Sequence, residues 1–114
     1  MSINKASLYQ DLEYKENKPV VSVLFETSFT KEIRIAMKKG VEMKEHQSPF
    51  SIVIHIVEGT IEFTVEGSVH ILEKGHLISL DAIVPHSLVA KSDSIVRLTL
   101  TKSDAAARVQ KVVD

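Results

Sequence analysis

Residues 40–59 read GVEMKEHQSPFSIVIHIVEG and decide the fold. Glycines close both ends, at Lys39-Gly40 and Glu58-Gly59, and Ser48-Pro49 breaks the middle. Two runs of seven and eight residues remain, 41–47 and 50–57, bounded by turn signals, which is the signature of strands rather than of a helix. The second run, Ile52-Val53-Ile54-His55-Ile56, is β-branched almost throughout and has period two. If His46 points inward, parity carries Ser48 inward, and Ile52, Ile54 and Ile56 inward after the turn. His55, at odd parity, is then expected on the outer face.

The same punctuation extends in both directions. Asn17-Lys18-Pro19, Glu66-Gly67-Ser68, Lys74-Gly75, the Pro85 region and Lys91-Ser92-Asp93 mark further turns, regularly spaced from Gly40 onward. Between them Ile33, Ile35 and Met37 alternate with Glu32, Arg34 and Lys38. Ile61, Phe63 and Val65 alternate with Glu62, Thr64 and Glu66, and Val96, Leu98 and Leu100 with Ile95, Arg97 and Thr99. Regular short strands with one dry face predict an all-β sandwich or barrel. The Cys-Trp-Cys framework of an immunoglobulin domain is absent, and an OB-fold has too few strands, so a double-sheet jelly roll fits best. Short helices are expected at both ends: residues 6–14, where Leu8 and Leu12 stack at i, i+4, and residues 103–113, capped by Ser103 or Asp104.

The 114 residues make one domain, with the barrel core at about residues 20–100. Fourteen basic against fifteen acidic side chains leave a net charge of −1, which argues against nucleic-acid binding. With no cysteine, disulfides, thiolate nucleophiles and Cys-ligated metals are excluded. No apolar run reaches the length of a membrane span or of a signal peptide, so no membrane partner and a cytoplasmic location are expected. No phosphate-binding glycine loop or Ser-His-Asp arrangement occurs.

Residues 40–59, together with residues 75–90, GHLISLDAIVPHSLVA, resemble the two signature motifs of the cupins, small jelly-roll barrels. In the first motif Gly40, His46 and Gly59 match in register, while Ser48 stands at the second His and Ile52 at the Glu. In the second motif Gly75 and His86 match. Asp81, Ile83 and Ala90 replace its Pro, Gly and Asn, and Pro85 precedes the His. The resemblance covers about residues 20–100 and implies a cupin-type double-stranded β-helix. Metal-binding cupins use three His and one Glu, so the resemblance leaves two candidate metal ligands here, His46 and His86. They would hold a divalent transition metal (Ni, Zn, Fe, Mn or Cu) as part of an incomplete shell.

Three functions are open. The first is a small-molecule-binding or sensing module, its pocket made by His46, Ser48, Ile52, Ile54, Ile56, His86 and Leu88. The second is a metal-dependent enzyme of the dioxygenase or isomerase type at the same two histidines. The third is a scaffold acting through its outer surface. The missing Glu and second His favour the first over the second. His55, His70 and His76 read as surface positions, Glu58, Glu62 and Glu66 as a solvated stripe, and Arg34 and Arg97 as outward-facing residues paired across the sheet. Residues 20–25 are apolar on both faces, and the resemblance to cupins, which often associate through N-terminal strands, implies a homodimer.

Overall fold

The computed structural model describes residues 3–102. It contains nine strands: β1 (Val20–Glu26), β2 (Thr30–Met37), β3 (Glu42–His46), β4 (Ile52–Glu58), β5 (Thr60–Val65), β6 (Ser68–Glu73), β7 (Leu77–Leu80), β8 (His86–Ala90) and β9 (Ser94–Thr101). They form two antiparallel sheets, ordered β1-β2-β9-β4-β7 and β3-β8-β5-β6. The pairing is nested: β2 lies on β9, β3 on β8, β4 on β7 and β5 on β6. A single long hairpin wound around its own core gives this pattern, the arrangement expected of a double-sheet jelly roll.

The inward positions close the core. Ile33, Ile35, Met37, Ile54, Ile56, Ile61, Phe63, Leu88 and Val96 are all buried in one cluster. Burial of this kind contributes about 1.5–3 kcal/mol for each large side chain and dominates the stability of the barrel. Gly59 is required at the β4–β5 turn. Its φ is +88°, and a Cβ there would collide with Ser94 and the Asp93 carbonyl on the strand behind.

No helix forms over residues 6–14. Arg34, on the outer face of β2, donates from Nη1 to Leu8 O (3.2 Å) and Gln10 O (2.8 Å), and from Nη2 to Asp11 O (3.3 Å). These carbonyls are therefore turned to the guanidinium instead of along a helix axis. Asp11 also has φ +54°, which breaks a right-handed helix. A nine-residue helix has little stability of its own, so tertiary contacts win. The segment lies as a strap across the five-stranded sheet, with Tyr9 Oη donating to Glu58 Oε1 (2.8 Å) at its far side. Residues 103–113, expected to be helical, lie outside the described residues.

β1 departs from a strand buried on both faces. Val20, Ser22 and Leu24 are half-buried, while Val21 and Val23 are 54% and 57% exposed. The exposed pair shares the face of Ile35 and Ile33, its register partners, so the edge of the inner face overhangs the opposing sheet.

Candidate functional site

His46 ends β3 and His86 begins β8, and the two are register partners. Strict alternation would put His46 on the face opposite Met43, but the ladder slips between Met43 and His46. A bulge adds a residue to one strand, and both Met43 and His46 then face the barrel. The imidazole centroids lie 4.3 Å apart at an interplanar angle of 61°, and His86 also stacks on Phe63 with centroids 5.5 Å apart. His86 is buried, whereas His46 is exposed at the mouth.

Each ring is held the same way. His46 Nδ1 is 2.7 Å from Lys44 O, and His86 Nδ1 is 3.0 Å from Val84 O. A carbonyl can only accept, so each Nδ1 carries the proton and donates. In a neutral ring this leaves Nε2 as an acceptor, and neither Nε2 has a protein partner among the described residues. Burial pushes the His86 pKa below its ordinary value, with a smaller downward push from His46, against the opposing Val84 hydrogen bond. His86 is therefore neutral at physiological pH.

The rings open onto a cavity of about 30 Å³ lined also by Ile35, Met43, Ile54, Leu88, Val96 and Leu98. That volume admits a group the size of a water molecule. Of the residues expected to form the pocket, His46, Ile54, His86 and Leu88 line it, and Ser48, Ile52 and Ile56 do not. Ser48 is committed to the loops: its carbonyl accepts from Ile83 N (2.8 Å) and its Oγ from Phe50 N (3.4 Å). Ile52 packs in a layer beyond the cavity with Leu80 and Leu100, and Ile56 is sealed in the core beside Val96. Met43 is not legible from parity because only the bulge turns it inward.

The donor set does not fit the complete cupin metal shell. Two imidazole nitrogens are present, the other lining atoms are aliphatic or thioether, and Ile52 supplies no carboxylate. Among the described residues no group of three or more His, Cys, Asp or Glu is placed to hold a metal ion. Catalytic centres usually carry three protein ligands.

The remaining histidines lie elsewhere. His55 Nδ1 accepts from Arg97 Nε (3.3 Å) on the outer face, and His76 Nδ1 accepts from Glu73 N (2.8 Å) in an exposed turn. His70 is exposed on β6. Glu58 is not simply solvated, since it joins Lys74 (3.4 Å) and the strap's Tyr9. Arg97 pairs with Glu32 across the sheet (3.3 Å), but Arg34 bonds only to carbonyls.

Residues 33–102 match the family model described as Cupin domain, and the chain belongs to the cupin family. Among solved structures it is similar to an RmlC-like cupin from Desulfovibrio desulfuricans, with 21% identity and TM-score 0.81 over 88% of this chain and 97% of that one. A protein from Thermus thermophilus matches at 19% identity and TM-score 0.77, covering 87% and 98%. A conserved protein of unknown function from Streptococcus pyogenes matches at 22% identity and TM-score 0.76, covering 90% and 96%. At these identities the likeness establishes a shared small-cupin fold. No curated protein matches the chain. No helix among the described residues is long and apolar enough to cross a membrane.

Proposed function

We propose that this cupin is a small-molecule-binding module that takes the hydrogen-bond-donating end of its ligand between His46 and His86. The observation that carries the reading is the pair of Nδ1 atoms tied to Lys44 O and Val84 O, which leaves two Nε2 acceptors at one small apolar cavity. An acceptor pair selects a hydroxyl, enol or phenol head and offers little to a carboxylate or ketone. The cavity admits only that head, so the ligand body rests at the mouth. Exposed Ile83 and Phe50 sit on the two loops leading to His86 and away from His46, which the Ile83 N–Ser48 O hydrogen bond joins. Binding is tested by titrating the protein with phenol and methanol, which present donor heads, against acetate and acetone, which do not, while following the His46 and His86 ring nitrogens by NMR. Donor probes should shift both Nε2 resonances, and His86→Phe should remove the response of His46. Equal responses to acetate and acetone, or none to any probe, would contradict the reading.

We propose in addition that two chains associate through β1. Val21 and Val23 extend the apolar inner face beyond the opposing sheet, at an edge strand with free backbone groups.

A further inference from the structure

We propose that the groove between the N-terminal strap and the β1–β2 edge is a second ligand site, for an oxyanion of the carboxylate or phosphate kind, organised by Arg34. Arg34 is 4% exposed, so its charge is almost fully withdrawn from water. Three strap carbonyls accept from its Nη atoms, yet no carboxylate among the described residues pairs with it. Its Nε is the one buried side-chain nitrogen or oxygen without a partner among the described residues. A buried cation whose compensation is limited to dipoles is costly, and removing a counter-charge from such a group is more costly still.

The surroundings add positive charge. Arg97 is the register partner of Arg34 on β9, which sets the two backbones about 5 Å apart with both side chains on the outer face. Glu32 answers Arg97 and not Arg34. Like charges placed side by side on a sheet destabilise it unless something neutralises the second one. Beside Arg34 the strap and β1 leave a shallow groove of about 420 Å³ that is largely open to solvent. Lys5, Ser7, Gln10 and Ser22 line it, with Asp11 as its one carboxylate. Ser22 is the register neighbour of Arg34 on β1, and the Ser7 hydroxyl accepts from Tyr9 N and Gln10 N, leaving its proton free to donate. A guanidinium edge, an ammonium and two hydroxyls are the groups that recognise an oxyanion.

The test titrates the full chain with inorganic phosphate and, separately, with acetate, chloride replacing either at constant ionic strength, and follows the Arg34 Nε–H resonance. A saturable shift with slowed proton exchange is expected. Stronger response to phosphate identifies a phosphorylated ligand, and to acetate a carboxylate. Arg34→Lys, which has no Nε–H, is followed through the backbone amides of Ser7 and Ser22, and their response should be abolished. Because that change can also loosen the strap, Ser22→Asp provides the second variant: its carboxylate should occupy the site internally, raise the melting temperature and remove the titration. An unmoved or linearly drifting Nε–H in both titrations overturns the proposal, as does a Ser22→Asp protein that titrates like the parent.

Discussion

His46 and His86 face each other in register across β3 and β8, with ring centroids 4.3 Å apart and each Nδ1 committed to the carbonyl two residues before it. The separation of two in both hydrogen bonds means that each strand end orients its own imidazole. The pair is thus set by local backbone geometry and does not depend on a ligand for its alignment.

Stability should fall on mild acidification through His86. Its folded-state pKa lies below the ordinary value of 6.5, so between the two values the unfolded chain binds more protons than the folded one. Stability then rises with pH through that window and is lost as pH falls from about 6.5 towards the folded-state value. Urea unfolding at about pH 7.5 and about pH 5.5 should give a lower midpoint at the acid end, and His86→Phe should shrink the difference. An unchanged difference in the variant would assign the effect to other groups.

Ile83 carries φ +58°, the left-handed region, at the motif position where cupins place Gly. A β-branched residue there is strained, and at 63% exposure its side chain gains little from packing. Ile83→Gly should therefore leave stability unchanged or raise it by up to about 1 kcal/mol, measured by thermal unfolding. A loss above about 1 kcal/mol would mean that the side chain packs in solution.

Gly59 behaves oppositely. Gly59→Ala should cost about 3 kcal/mol or more, since unfavourable φ and collision with Ser94 and Asp93 act together. A melting temperature within a few degrees of the parent would show that the β4–β5 and β8–β9 turns separate easily.

Much of this architecture is legible because strand parity and glycine punctuation are local. Ile33, Ile35, Ile54, Ile56, Phe63, Leu88 and Val96 are buried as alternation requires. The candidate site is less legible. The bulge between Met43 and His46 resets parity without a Gly or Pro to mark it, so alternation misses Met43. Alternation also carries Ser48 inward, but β3 ends at His46 and Ser48 belongs to the loop beyond it. The helix expected over residues 6–14 fails for a non-local reason, since Arg34 is more than twenty residues from the carbonyls it captures.

Rebuilding the metal motif should fail. Ile52 is 3% exposed and lies outside the cavity layer, so Ser48→His with Ile52→Glu buries a carboxylate away from both imidazoles. The double variant should lose about 3 kcal/mol or more and gain no tight binding of Ni, Zn, Fe or Mn, as followed by calorimetry. A sharp gain in metal affinity would show that residues 48 and 52 converge with the histidines after all.

Association through β1 is read from the oligomeric state. Light scattering after size exclusion should give twice the chain mass, and Val21→Lys with Val23→Lys should yield monomer or aggregate. A monodisperse wild-type monomer at micromolar concentration would refute the dimer.

His46 and His86 each carry a proton on Nδ1 and present Nε2 to the cavity. Long-range proton–nitrogen correlation of the histidine side chains at about pH 7.5, above the ordinary His pKa, reads this directly. Both His46 and His86 should show the Nδ1–H pattern, with their Nε2 signals moving when phenol is added. Protons found on Nε2 in either ring, or Nε2 signals indifferent to every donor probe, would contradict it.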